Sequence, residues 1–87
     1  MRVTNDLARA IAEEMLDQTV RTEIADIVIN KTLETDSCWV FFYNTRAYIE
    51  TGSMSHALAG NAPVFVLKDD PSAWFGRTDI PLEDQLP

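Results

Sequence analysis

Cys38 and His56 are the side chains that could supply a nucleophile and its base, and each is the single residue of its type in the chain. The reactive form of cysteine is the thiolate, and a neighbouring imidazole is one group that generates it, so these two residues make the one conceivable catalytic pair. The setting of Cys38 argues against that use. It opens the run Cys38-Trp39-Val40-Phe41-Phe42-Tyr43, where apolar burial raises a thiol pKa and silences it. Carboxylates do not supply an acid and base either, because Glu13-Glu14 and Glu83-Asp84 are adjacent in helical segments and point apart. Metal-ligand spacings such as Cys-x-x-Cys, His-Glu-x-x-His or an alternating Asp/Asn loop closed by Glu are missing, and Asp69-Asp70 reads as a charged turn. Leu58-Ala59-Gly60-Asn61-Ala62-Pro63 holds one glycine and no following Gly-Lys-Ser/Thr, too little for a phosphate cradle. We expect no catalytic residue, no metal and no cofactor.

Recognition of another protein fits the residues better. Trp39, Phe41, Phe42, Tyr43, Tyr48, Phe65, Trp74 and Phe75 are more aromatic surface than a domain this small hides readily, and large aromatics anchor protein interfaces. Trp39, Tyr43 and Trp74 are the rings expected to stay partly exposed. With Tyr48, Glu50, Asp69 and Asp70 they form the candidate partner-binding set. Seven basic residues stand against fourteen acidic ones, for a formal charge of −7. That charge repels nucleic acid and anionic membranes and draws in basic proteins. The expected partner is therefore a protein with a basic surface, with no nucleic acid and no membrane involved. Self-association through Trp39, Phe41 and Tyr43 stays open as a homodimer alternative.

These candidates need a scaffold. With 46 % hydrophobic and 24 % charged residues the composition is that of a globular protein. An 87-residue chain supports one domain, read here as 1–87, and buries roughly 60–65 % of its unfolded surface. With no long apolar run and with Asn5, Asp6 and Arg9 near the start, we expect a soluble, cytoplasmic chain. A lone, reduced Cys38 fits that compartment. Asn30-Lys31-Thr32 matches a glycosylation acceptor and is set aside for the same reason.

Thr4 reads as the cap of an amphipathic helix in which Leu7, Ile11 and Met15 recur every four residues, flanked by Ala8, Ala12 and Leu16. A first strand follows from Ala25, with Ala25, Ile27, Ile29 and Leu33 on one face and Asp26, Val28, Asn30 and Thr32 on the other. After the turn Glu34–Ser37 comes a second strand. Its faces, Cys38/Val40/Phe42 and Trp39/Phe41/Tyr43, are both apolar, which marks it as central. In the long connection Gly52 reads as a turn, Ser53 as the cap of a short helix to Ala59, and Gly60 as its left-handed stop. Val64–Leu67 and Ala73–Gly76 form a hairpin through Asp70-Pro71. The tail 79–87, with Pro81 at a first helical position and Leu82 and Leu86 four apart, is a short helix or a frayed end. The fold class is α+β: an N-terminal amphipathic helix on an antiparallel sheet of about four strands, with a short helix in the central connection.

The segment from Cys38 to Asp70, CWVFFYNTRAYIETGSMSHALAGNAPVFVLKDD, also resembles a known family. An aromatic strand, Tyr48-Ile49-Glu50-Thr51-Gly52, Leu58 to Pro63, an apolar strand ending in Lys68-Asp69, and a closing Pro81-Leu82-Glu83 are similar to the YrhB-type domain, a bacterial family classed among immunity proteins of polymorphic toxin systems. The resemblance runs from about Ile27 to Leu86. It departs after Lys68, where the family pattern has an aspartate and a glycine turn and this chain has Asp70-Pro71 and Trp74-Phe75. The resemblance implies a helix followed by an antiparallel sheet, and a protein that binds and neutralises a cognate toxin by occlusion. The alternative is a non-catalytic, chaperone-like or self-associating module.

Overall fold

Helix α1 (Asn5–Gln18) begins where Thr4 Oγ1 accepts the Leu7 amide at 3.3 Å, the expected N-cap. The computed structural model describes residues 2–58 and 61–87. The innermost row of α1 is Ala8, Ala12 and Leu16, with Leu7, Ile11 and Met15 half-buried beside it. Alanine on the centre line lets the helix lie close to the sheet while the longer side chains reach down on its flank.

Four strands follow, β1 (Ile27–Glu34), β2 (Cys38–Thr45), β3 (Val64–Leu67) and β4 (Ala73–Phe75), in the order β1-β2-β3-β4 and antiparallel throughout. Ile27, Ile29, Phe41, Tyr43, Val64 and Val66 meet α1 in the main core. Cys38, Val40 and Phe65 are buried on the far face. So β2 is central and apolar on both sides, as its composition implies. The first strand departs from simple alternation. Ile29 pairs with Tyr43 but Lys31 pairs with Phe42, so Asn30 is an extra residue and the period-2 pattern slips. Leu33, expected on the face of Ile27 and Ile29, is carried across to lie opposite Val40, and Thr32 takes the helix side opposite Phe41. Ala25 and Asp26 precede the strand.

The central connection also differs from expectation. Its helix, α2, spans Arg46–Thr51 rather than Ser53–Ala59. Thr45 Oγ1 caps it by accepting the Tyr48 amide at 3.1 Å, and Gly52, at φ 69°, ends it in the left-handed conformation. Gly52 is thus a helix stop where the sequence suggested a turn before a helix. Ser53 leads only a 3₁₀ turn, Met54–His56, without a side-chain cap. Asn44 Oδ1 accepts the Leu58 amide at 2.8 Å, which holds the chain against the end of β2. Gly60, the predicted stop, and Ala59 lie outside the described residues.

The β3–β4 turn forms as expected. Asp70 Oδ1 accepts the Ser72 amide and hydroxyl, and the Leu67 amide donates to the Ser72 carbonyl. The tail ends in a one-turn helix, α3 (Leu82–Gln85), with Pro81 at its cap position rather than inside it. At the other terminus the Val3 amide donates to the Lys68 carbonyl at 2.6 Å, and Val3 is buried.

Candidate partner-binding surface

Trp39 shows how the fold uses a residue read as an anchor. Its Nε1–H donates to the Val3 carbonyl at 3.2 Å, and Lys68 Nζ lies 4.9 Å from its ring centroid while also meeting Glu34 Oε2 at 2.6 Å. The side chain of Lys68 is 5 % exposed and that of Glu34 58 %. The ring is half-buried and engaged from its edge and one face, so what it offers to a partner is a margin. Asp69, next to Lys68, is fully displayed and only loosely paired with Arg2 at 3.9 Å. Asp70 is held in the turn, and hydrogen bonds from the Ser72 hydroxyl and amide keep its carboxyl below its ordinary pKa.

Tyr43 contradicts its nomination for exposure. It is 3 % exposed and packs with Ile29 in the main core, and burial pushes its phenol pKa up. On the helix face of β2 the central positions Phe41 and Tyr43 are buried in the core with α1, whereas Trp39, nearer the strand's end, is only half-buried. Its carbonyl accepts Asn61 Nδ2 at 2.8 Å, which ties Asn61 to the sheet. Trp74 is half-buried on the opposite face and stands edge-on to Phe65 at 5.5 Å and 88°. Tyr48 and Glu50 sit on α2, where Tyr48 is half-buried and Glu50 exposed, 4.0 Å from Arg46.

The nominated residues therefore fall into separate groups. Trp39, Asp69 and Asp70 lie near the β3–β4 turn, whereas Tyr48 and Glu50 follow the far end of β2. Trp39 and Thr45 are six strand positions apart, roughly 20 Å. Trp74 looks out of the other face. Cys38 and His56 are likewise separated: Cys38 is fully buried at the start of β2, while the His56 carbonyl accepts from Thr45 at its end.

Sequence reasoning missed three features. Met54 and Ile49 are 75 % and 40 % exposed, an apolar pair in the Tyr48–Glu50 region, and Met54 was marked only by its polar neighbours Ser53 and Ser55. A solvent-open cavity of about 310 Å³ lies between the sheet and the tail, lined by the apolar Phe42, Pro63, Ile80 and Leu82 and by the polar Asn61, Arg77, Thr78 and Gln85, and its lining comes from segments too distant in sequence to be grouped by pattern. Arg21 was read as nothing in particular. It donates to the Ile27 carbonyl from Nε (3.0 Å) and Nη2 (2.8 Å), to Glu13 Oε1 (2.7 Å) and to Asp17 Oδ1 (2.9 Å). Burial works to lower its pKa, but the hydrogen bonds and charges of Glu13 and Asp17 raise it on balance.

No helix among the described residues is long and apolar enough to cross a membrane. No solved structure matches the chain. A curated relative, the uncharacterized protein YrhB of Escherichia coli (strain K12), is 40 % identical over 48 residues, 55 % of this chain and 51 % of that protein, so the match spans about half of the relative's length. A family model described as immunity protein 35 matches residues 6–83. With α1 from its second residue, all four strands and the start of the tail inside that match, the chain belongs to the immunity protein 35 family.

Proposed function

We propose that the chain binds a toxin protein in the cytoplasm and neutralises it by covering a surface the toxin needs, without chemistry of its own. The observation that carries this reading is membership of a family described as immunity proteins over residues 6–83. The formal charge of −7 supports a partner with a basic surface, and Trp39, Tyr48, Glu50, Asp69, Asp70 and Trp74 supply acidic and aromatic contacts for it. Tyr43 takes no part through its ring, which is in the core.

The test is co-expression with the products of neighbouring open reading frames, followed by association kinetics at two salt concentrations. A product that arrests growth alone and is harmless with this chain, bound in fixed stoichiometry, is the expected outcome. Its association rate should exceed the unsteered range of roughly 10⁵–10⁶ M⁻¹s⁻¹ at low salt and fall about tenfold or more in ~0.5 M salt. Capture of many unrelated clients, or of the chain itself, would replace toxin neutralisation with the chaperone-like or self-associating reading.

A further inference from the structure

We infer that the outer edge of β4 receives an extended segment of the protein partner as an added strand of the sheet, through the main chain of Ala73 and Phe75. This rests on the reading of the chain as a toxin-binding protein and adds to it where and how the partner is held.

The ladder fixes which groups face outward. The Leu67 amide donates to the Ser72 carbonyl at 3.0 Å and the Gly76 amide to the Pro63 carbonyl at 2.8 Å, and Phe65 stands opposite Trp74 between them. Hydrogen-bonded positions alternate in an antiparallel pair, so Ser72, Trp74 and Gly76 face β3, and the N–H and C=O of Ala73 and Phe75 point out of the sheet. Among the described residues nothing donates to or accepts from these outward groups. The edge is bounded at both ends. Pro71 has no N–H to offer. The outward main chain of Arg77 is taken by the Gln85 carboxamide, whose Oε1 accepts the amide at 2.6 Å and whose Nε2 donates to the carbonyl at 2.9 Å. Gln85 thus fills the place that a residue of an added strand would take, and Phe75 and Ala73 continue the same edge without such a cap.

The opposite edge of the sheet is unsuited to the same use. On β1 the Ile27 carbonyl is taken by Arg21, and the extra residue Asn30 breaks the two-residue spacing on which an added strand depends. The open edge adjoins residues already nominated for binding. Trp74 lies between Ala73 and Phe75, and Asp69 and Asp70 stand exposed in the turn that leads into β4. Ala73, Trp74 and Phe75 are all half-buried, so a partner that covers this strand must pair its outward groups or leave them cut off from water. An extended main chain pairs both positions at once. A second copy of this chain is a poor occupant. β4 has three residues, too short an edge to bury the roughly 1,200 Å² of a stable dimer, and the copy brings a further −7. A toxin with a basic surface meets no such repulsion and supplies contacts beyond the edge.

The test begins with amide hydrogen exchange of the full chain alone. Ala73 and Phe75 should exchange at least about 100-fold faster than Phe65 and Trp74, whose amides lie in the ladder. Slow exchange of both, or protection that rises with chain concentration as a second copy would give, overturns the open edge. Chemical-shift titration then uses the peptide Ac-Thr-Val-Thr-Val-Thr-NH₂ and the same peptide N-methylated at every residue, which keeps the side chains and loses the donors. The expected result is saturable shifts centred on Ala73 and Phe75, with a Kd on the order of 10 mM and at least about fivefold weaker binding of the methylated peptide. Ala73→Pro, which removes an outward N–H and no ladder bond, should weaken the peptide at least about fivefold. Gln85→Ala, which frees the main chain of Arg77, should strengthen it about threefold or more and extend the shifts to Arg77. Shifts located elsewhere, no saturation, or equal binding of the two peptides would overturn strand addition. The toxin found by co-expression separates the edge from neutralisation. A chain that neutralises its toxin while Ala73 and Phe75 exchange as fast in the complex as alone loses the edge and keeps its role. A chain that binds no toxin loses the role, and the peptide titration still decides the edge.

Discussion

Arg21 bridges the end of α1 and the start of β1. The Asp26 carbonyl accepts the Arg46 amide across the β1–β2 pair, so by strand alternation the next carbonyl, that of Ile27, points away from β2. Arg21 caps it with a two-pronged contact. Arg21→Ala should cost about 1–3 kcal/mol, and Arg21→Lys should recover only part because an ammonium cannot reproduce the fork. Urea midpoints at constant m would show it. Tyr43 gives a pH signature. Its folded pKa is raised above 10.0 by burial, so its contribution is fully present below that value and is lost as pH rises past it, where the unfolded phenol ionises first. Tyr43→Phe should flatten the alkaline fall in stability, measured as the loss in urea midpoint between pH ~8 and ~11. An alkaline limb identical to wild type would mean that the ring is not held in the core. That Tyr43 is buried and Trp39 only partly free was not legible in the sequence, because both read as one aromatic row and only the position of α1 decides how each is covered.

At the scale of elements, the centre line of α1 and the two faces of β2 carry the packing. Ala12→Leu should cost about 1–3 kcal/mol by pushing α1 off the sheet, with only a small added loss from leucine's slightly lower helix propensity. Phe65→Ala, which empties the far face beneath Trp74 and the tail, should cost about 3–5 kcal/mol. Thermal melts separate the cases: a stabilised Ala12→Leu protein would show that the helix does not pack tightly there. β1 is an outer strand of the sheet, and it carries three features that blunt edge pairing: the Asn30 bulge, the exposed Lys31 and the Arg21 cap. The capped helix, the central strand and the proline hairpin were all legible, since each is specified by a few neighbouring residues. The bulge was not, because Ile27-Val28-Ile29-Asn30-Lys31-Thr32-Leu33 alternates acceptably in either register until a partner strand settles it.

For the molecule as a whole, 40 Å along its longest axis and 19 Å along its shortest, the charge of −7 and the blunted β1 edge act together against self-pairing. Light scattering should give a monomer mass that is constant with concentration at low salt, and a mass that rises with concentration would refute this. The sequence by itself determined the α+β class, the central two-faced strand, the acid excess and the family, because these rest on composition, local periodicity and short motifs. Tertiary structure decided which aromatic rings reach solvent and placed α2 between Thr45 and Gly52. It also spread the nominated residues over both ends and faces of the sheet, and joined Phe42, Pro63 and the tail around one cavity. Burial and cavity shape depend on residues distant along the chain, and no local pattern encodes where those residues meet.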